Sequence, residues 1–540
     1  MPHRYGATPN QERRVYPGDP RMQDTAPHLL ELTKSILDPI HGLVRITDSE
    51  TRVINDPVYQ RLRKIKQNGL LHFVFPSATH TRFEHSLGVL FVADSMLRSL
   101  LFNSTSSISK QRIITNINQT NHSQAFDLNT ILRSTLKEIF RITRLAALVH
   151  DLGHGPLSHT FDRFAPSLNS VLNMLGDKRL AALSDFKDIF RDYAHKDPQS
   201  AGTLLRVPHE VMSCIFFTYI WHQIDKSDSQ TPQAVTAAIL GELAFHSISG
   251  DLAPWVPLIH DLVASAPADA DRMDYLERDS RSCGVSYGLF DRNRLLKTML
   301  CYQTEKQNSK QYRLGLKLSG SRAVENFIQA RFELFVQVYY HKTNRAIESM
   351  LGHISTLADT TSQFIIPENS LDELVQGYAN LGDDIFLDML RGQGVRKEID
   401  NKEINDLAQQ IHDRKLWKRV VDFQDNRDLD ASQQDAILRD LKVKFPTAIF
   451  HPDKIKPKAT KDLNNGAVIL KQDVNGVYFA DPDAKWELIS PIIQTLGKAE
   501  ESIYRIYVRT ADTAMAKEIR TAFRKSLNLL GEAKSNAEQA

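Results

Sequence analysis

Cysteine is scarce. Cys214, Cys283 and Cys301 are spread over 540 residues with no C-x-x-C spacing, which argues against a thiolate zinc site and against a disulfide framework. A surplus of one charge is also missing. The 67 Lys and Arg nearly balance the 65 Asp and Glu, leaving +2, so the total favours neither a nucleic-acid coat nor a membrane surface, and any anion site has to be local. The chain has no P-loop, no G-x-G-x-x-G phosphate loop and no internal repeat. No apolar run approaches the length of a membrane span. The leading residues, MPHRYGATPNQERRVYPGDP, lack the apolar core of a secretory signal. These absences predict a cytoplasmic chain with no membrane partner, in which the sequons at Asn103, Asn118 and Asn121 are accidental.

What the chain does have is length, with 41% hydrophobic and 24% charged residues, the make-up of a main globular domain and a smaller appended one. Its ionisable chemistry concentrates between Arg141 and Asp162, RITRLAALVHDLGHGPLSHTFD. Ile142, Leu145, Ala146 and Leu148 predict an amphipathic helix that ends on His150 and Asp151. Gly153, Gly155 and Pro156 then break the helix, and the loop they make carries His154, His159 and Asp162. An imidazole followed at once by a carboxylate offers nitrogen and oxygen ligands to one cation. The three groups in the loop supply what acid–base work beside a metal needs.

One segment cannot close a metal shell, and the rest of the chain has to supply partners. Residues 1–30 read as a flexible extension, and Ser35–Pro57 as a small β-ribbon broken by Pro39 and Gly42. A helix over Val58–Gln67 is expected, with Arg61, Arg63, Lys64 and Lys66 on a solvated face. Thr81 caps a helix with His85 in its first turn beside Arg82 and Glu84. Residues 103–129 are polar and aperiodic, a surface insertion between core helices. Ser167–Arg206 gives ordinary helices, His209-Glu210 opens an apolar helix, and 234–246 is a buried helix with a structural His246.

In ADADRMDYLERD, 268–279, carboxylates fall on more than one helical face, and burying them demands cations or donors; Glu277 fits a solvated face and Asp271 does not. A single long helix over Ser321–Leu351 places Arg331 and Tyr339 two turns apart on one face. Residues 361–530 form a C-terminal region ending in a small α+β unit, with Asn475-Gly476 as a hairpin turn, SIYRIYVRT as a strand and AMAKEIRTAFRKSLNLL as a helix. Residues 531–540 read as a disordered tail. The fold class expected is mainly α, a helical core with a small α+β C-terminal region.

His85, His150-Asp151 and Asp271 now form one ordered pattern of a His, a His-Asp pair and an Asp. Two imidazoles and two carboxylates without sulfur suit iron, manganese or zinc, or the harder magnesium. Such a set leaves coordination positions open for water and substrate. With the flanks RFEHSLG, LVHDLGHGPLSHTFD and DADRMDYLERD, and with DPIHG, YQRLRKIKQ, VFPSATHTRFEHSLGV and YHK, the chain resembles the HD-domain phosphohydrolases. Among them it is most similar to the deoxynucleoside triphosphate (dNTP) triphosphohydrolases, especially the animal enzymes that join a SAM to an HD domain. The likeness runs from about Asp38 to Lys342 and more faintly beyond, which makes 31–360 the HD domain.

The resemblance implies that His85, His150, Asp151 and Asp271 hold a divalent metal, that His154, His159, Asp162 and His209 are catalytic, and that His159 is the acid toward the leaving oxygen. It implies substrate contacts from Gln67 and Asp279 at the 3′-hydroxyl, from Arg82, Arg272 and Arg331 at phosphates, from Tyr275, and from Tyr339 against the deoxyribose; Lys66 joins on charge alone. It also implies a homo-oligomer and a nucleotide effector. Gln60 and Arg63 match the activator-reading positions, but Asn55 stands where those enzymes have an acidic residue, and Leu37 and Leu43 replace polar residues of a second regulatory pocket. A SAM domain is not expected ahead of the core. The activity implied is hydrolysis of dNTPs to deoxynucleoside and triphosphate, for nucleotide-pool control or defence. A nuclease or phosphodiesterase on single strands or cyclic nucleotides, and a nucleotide-sensing scaffold, are the alternatives.

Overall fold

The computed structural model describes residues 29–108, 125–196, 205–265, 268–306, 309–360, 366–393, 399–423, 431–455, 468–472, 478–480, 485–498, 503–510 and 512–537. The expected turn at Asn475-Gly476 and the sequons at Asn118 and Asn121 lie outside them, as does nearly all of the N-terminal extension. The fold is mainly α, with three small sheets among the described residues.

Strands β1 (Lys34–Asp38) and β2 (Gly42–Ile46) form the expected antiparallel ribbon, pairing Ile36 with Val44 and Leu37 with Leu43. Helix α1 (Arg82–Ile108) is the axis of the main core, and α2 (Arg133–Val149) packs along it. Beside their shared apolar core runs a buried ion network. Arg144 donates to both oxygens of Glu50, to Asp94 Oδ1 at 2.9 Å and to Arg45 O, while Asp94 also accepts from Arg98. Each of the three Arg144 nitrogens has an acceptor, the condition on which buried charge is tolerated.

The segment Arg82–Ser104 is long and apolar enough to cross a bilayer by length and composition, contrary to the sequence expectation. Of its qualifying window, 83% is buried inside the protein, as in a core helix. Helices α4 (Val256–Ala264) and α5 (Ala270–Cys283) pack on α1, and α3 (His209–Ile224) packs on α2. Asp269 caps α5 by accepting from Arg272 N–H at 2.8 Å, and Gly284, at φ +70°, ends it in the left-handed conformation that glycine tolerates.

Strands β3 (Met299–Lys306) and β4 (Ser309–Lys317) pair antiparallel. Beyond them come α6 (Ser321–Leu334), a π-helical turn over Phe335–Tyr339, and α7 (Lys342–Thr360). The C-terminal region adds α8 (Asp383–Leu390) and two sets of strands. Strand β5 (Lys418–Phe423), β6 (Phe450–Ile455) and the central β9 (Ile503–Val508) form an antiparallel sheet. Val421, Ile437, Phe450, Ile506 and Ile519 give that sheet and its two helices a small core of their own, the expected α+β unit. Strands β7 (Val468–Gln472) and β8 (Tyr478–Ala480) instead extend the β3–β4 sheet, β7 lying parallel to β4.

Several sequence expectations fail for identifiable reasons. The helix expected over Val58–Gln67 is helical only over Pro57–Gln60 and tightens to a 3-10 turn at Arg61–Lys64. Arg61 is buried there, not solvated. The polar stretch after Asn103 continues α1 to Ile108, with Asn103 buried and its amide donating to Leu296 O and Met299 O at 2.9 and 2.8 Å. The single helix over Ser321–Leu351 is broken at Tyr340–His341. Glu277 is buried with Arg292 3.4 Å away, whereas His246 is exposed. The tail stays helical through Ala537.

Candidate active site

The start of α1, the end of α2 and the start of α5 converge on one point. His85, one turn into α1, sets its Nε2 3.4 Å from Asp151 Oδ2 and 3.1 Å from Asp271 Oδ1. His150, the residue that closes α2, sets its Nε2 3.4 Å from Asp151 Oδ1 and 3.7 Å from Asp271 Oδ1. The two rings meet edge to face with centroids 5.4 Å apart. The ligand atoms of His85, His150 and Asp151 all lie within 4.8 Å of one another. Asp271 is the open side of the cluster, with 31% of its side chain exposed. The four residues expected as ligands are brought together.

The opposite ring nitrogens are occupied. His85 Nδ1 faces Asp274 Oδ2 at 2.8 Å and His150 Nδ1 faces Ala147 O at 2.9 Å. Each acceptor draws the ring proton to Nδ1 and leaves Nε2 as a lone-pair donor into the cluster. Both Nε2 atoms are buried without a hydrogen-bond partner. Burial opposes charge on His85, but Asp151, Asp271 and Asp274 together raise its pKa well above the ordinary value, so the carboxylates around it favour a positive charge at this point. Two orphaned nitrogens facing two carboxylates fit a cation, and the absence of sulfur fits iron, manganese, zinc or magnesium.

Asp274 is a residue that sequence reasoning left without a role. Its buried carboxylate accepts from His41 Nε2 at 2.6 Å, from His85, and from Arg278 Nε and Nη2 at 2.8 and 3.0 Å. Gly88 makes the approach possible, since a Cβ there would sit 1.9 Å from Asp274 Oδ1. Arg61 is another. Its guanidinium donates to His154 O at 2.6 Å and to Leu152 O, so it ties down the loop that follows His150-Asp151. The same loop is pressed onto α3 at Gly153, where a Cβ would meet His209 O at 2.0 Å.

Beside the cluster, ring nitrogens of His154, His159 and His209 lie within 4.8 Å of one another. His154 and His209 stack with centroids 3.6 Å apart, and His159, with 67% of its side chain exposed, stands edge-on to His154. Asp162 Oδ2 lies 3.5 Å from His159 Nδ1 and 3.7 Å from His209 Nδ1. Burial opposes charge on His209, but Glu210, Asp162 and Asp151 push it up to about 9. Burial, Arg82 and His209 hold His154 well below the usual imidazole range. The two stacked rings are thus pushed in opposite directions, His209 toward the charged form and His154 toward the neutral one.

A cavity of about 250 Å³ adjoins these groups, and Gln67, Arg82, His159, Tyr275, Asp279 and Tyr339 line it. Tyr339 O–H donates to Asp279, which also faces His80 Nε2 at 2.7 Å. Gln67 Oε1 is buried with no partner. Arg82 bridges the two sites, donating to Asp151 and, from Nε, to Ser158 Oγ at 2.9 Å. Arg272 and Arg331 do not line the cavity. Arg272 pairs with Asp269 at 2.5 Å, and Arg331 lies over the Phe335 ring. Lys66 points to Asp383, 3.7 Å away. Asn55, Gln60 and Arg63 sit apart from the cavity; Gln60 accepts from Arg63 Nε at 2.9 Å, and Arg63 lies 3.5 Å above the Phe83 ring. Leu37 and Leu43 are side by side and 75% and 55% exposed.

Known proteins share this arrangement of sequence. The deoxynucleoside triphosphate triphosphohydrolase SAMHD1 of Gallus gallus is 26% identical over 520 residues, covering 91% of this chain and 75% of that protein. The SAMHD1 homolog of Dictyostelium discoideum is 26% identical over 517 residues, covering 92% of this chain and 80% of its own length. The chain is thus similar, over most of its length, to SAMHD1 enzymes and to other HD-domain proteins, at 24–27% identity. The uncharacterized protein YwfO of Bacillus subtilis is 27% identical over 410 residues, or 74% of each chain. A crystal structure of a hypothetical protein from Aquifex aeolicus superposes with a TM-score of 0.56 at 25% identity, covering 90% of this chain and 99% of that one. No family model matches the chain.

Proposed function

We propose that this protein is a metal-dependent phosphohydrolase that cleaves dNTPs to deoxynucleoside and inorganic triphosphate. One juxtaposition carries the reading: two orphaned imidazole nitrogens and two carboxylates beside a nucleoside-sized cavity that ends on the Tyr339–Asp279 hydrogen bond. A divalent cation held by His85, His150, Asp151 and Asp271 would polarise a phosphoryl oxygen and lower the pKa of water.

The remaining groups divide the work. Arg82 and Tyr275 face the cavity, Arg272 and Arg331 stand behind Tyr275 outside its lining, and together these groups would take the phosphate charge. His209, charged, adds to the field that lowers the cost of charge built up in the transition state. His159, backed by Asp162, delivers a proton to the leaving oxygen. His154, neutral between the two, accepts or donates at the phosphate. Gln67 Oε1 accepts from the 3′-hydroxyl, Asp279 holds the same sugar edge, and the Tyr339 ring fills the space a 2′-hydroxyl would need. Its use would be control of the nucleotide pool or defence, in a homo-oligomer under a nucleotide effector bound near Gln60 and Arg63.

The test is product identity. Metal-loaded protein is incubated with each dNTP, each ribonucleotide and a short DNA, with and without chelator. Inorganic triphosphate from dNTPs alone, abolished by chelation and in His150→Ala, is the expected result. Pyrophosphate, monophosphate or cut DNA would indicate a nuclease or phosphodiesterase, and no turnover a nucleotide-sensing scaffold. Either outcome refutes the proposal.

A further inference from the structure

We propose that Asp383, from the C-terminal region, is a positioning residue that sets the spacing between the two walls of the cavity; the inference rests on the pocket reading above. Asp383 opens α8 and is buried. Its Oδ1 accepts from Leu157 N–H at 2.7 Å, and its Oδ2 accepts from Lys66 N–H at 3.0 Å with the Lys66 ammonium 3.7 Å away. One carboxylate thus joins backbone segments that lie 226 and 317 residues from it in sequence. The start of α8 is pressed against this backbone, since a Cβ on Gly382 would meet Lys64 Cβ at 2.6 Å.

What Asp383 holds is an unfavourable turn. Leu157 and Ser158 sit at φ +59° and +57°, left-handed backbone that residues with a Cβ avoid. The turn has a use. It lets Ser158 Oγ donate to Lys66 O at 2.8 Å and accept from Arg82 Nε, and it presents the next residue, His159, to the cavity. Lys66 in turn precedes Gln67 and bridges Thr81, the residue before Arg82. Without the carboxylate, the Leu157 and Lys66 N–H groups would be buried donors with no acceptor, and the cheapest repair is relaxation of the turn. Asp383 does not line the cavity, so its effect on substrate passes through His159, Gln67 and Arg82.

The experiment compares Asp383→Asn, which keeps the shape and one acceptor, with Asp383→Ala and with a control at the exposed neighbour, Asp384→Asn. Three quantities are read in each: kcat and KM for triphosphate release from dNTPs, bound metal per chain, and hydrogen exchange of peptides covering 64–68 and 155–160. Asp383→Asn should lower kcat on the order of 10- to 100-fold, the effect of misplacing a reacting group by about 1 Å. KM should move by less than about threefold, because uniform binding is retained. Metal content should be unchanged, exchange should quicken only in those two peptides, and Asp384→Asn should behave as the parent. Unchanged kcat and exchange would overturn the proposal, as would exchange quickened throughout with loss of metal. If Asp383→Ala fails to fold, Asp383→Asn decides. If the parent releases no triphosphate, the proposed function falls, while local exchange still tests the Asp383 staple.

Discussion

Replacing Asp274 by asparagine should weaken metal binding without touching a ligand. The carboxylate receives four donors on two oxygens: His41 Nε2 and Arg278 Nη2 on Oδ1, His85 Nδ1 and Arg278 Nε on Oδ2. Asparagine keeps one oxygen and turns the other into an N–H₂ that confronts two donors. Two charge-assisted bonds are lost at roughly 1.5–3 kcal/mol each, so the metal-free protein should lose about 3–6 kcal/mol. Arg278 keeps Asp38 at 2.9 Å, which places the effect toward the lower end. The His85 ring, no longer held with its proton on Nδ1, should lose on the order of 10- to 100-fold in metal affinity, as second-shell replacements do. Bound metal after dialysis against a graded metal buffer measures the affinity, and denaturant unfolding without metal measures the stability. If Asp274→Asn binds metal as tightly as the parent while losing several kcal/mol of stability, Asp274 supports Arg278 alone and the tautomer argument is wrong.

Three further outcomes are expected. Tyr339→Ala should raise ribonucleotide turnover relative to dNTP by at least about tenfold, since the barrier to a 2′-hydroxyl is steric; competition assays with paired substrates check this. Arg61→Met orphans the buried Leu152 and His154 carbonyls and should cost about 2–5 kcal/mol in urea unfolding; a loss under about 1 kcal/mol would mean that water replaces the guanidinium. His209 is pushed up to about 9, so its contribution is fully present below its unfolded pKa and lost as pH rises through the folded one. From about pH 6.5 to 9 the thermal midpoint should therefore fall, by the equivalent of about 3 kcal/mol at most, and His209→Asn should flatten the profile.

That His85, His150, Asp151 and Asp271 cluster was legible because each sits inside a short local pattern. His85 follows a capping Thr81, His150-Asp151 closes an amphipathic helix before two glycines, and Asp271 lies in a segment whose acids could not all be solvated. The groups that support the ligands were not legible, because their partners are remote in sequence. Arg61 read as one more charge on a basic helix, since nothing near it shows that Leu152 and His154 lie 91 and 93 residues ahead. Asp274 looked like one acid among five in its segment, and its donors His41 and His85 come from two other elements. The helix break at Tyr340–His341 was hidden for another reason. No proline or glycine marks it, and the apolar periodicity of Ser321–Leu351 continues across it.

That break is where the C-terminal region reaches the other side of the cavity. A π turn ending at Tyr339 and a new helix starting at Lys342 leave the Tyr340 carbonyl between them outside the helical ladder, whereas the His341 carbonyl accepts from Arg345 N–H. The C-terminal sheet supplies the donors. Arg505 Nη1, from the central strand β9, donates to Tyr340 O at 2.6 Å, and Tyr507 O–H donates to Lys342 O at 2.8 Å. Arg345, in the first turn of α7, is paired with Asp453 of β6 at 2.5 Å. The backbone that follows Tyr339 is therefore held by β9, as the turn before His159 is held by Asp383. A C-terminal region that served regulation alone could stand remote from the cavity. This one contributes hydrogen bonds to the backbone on both walls of the cavity, so any movement of the C-terminal sheet or of α8 must change the distance between Tyr339 and His159.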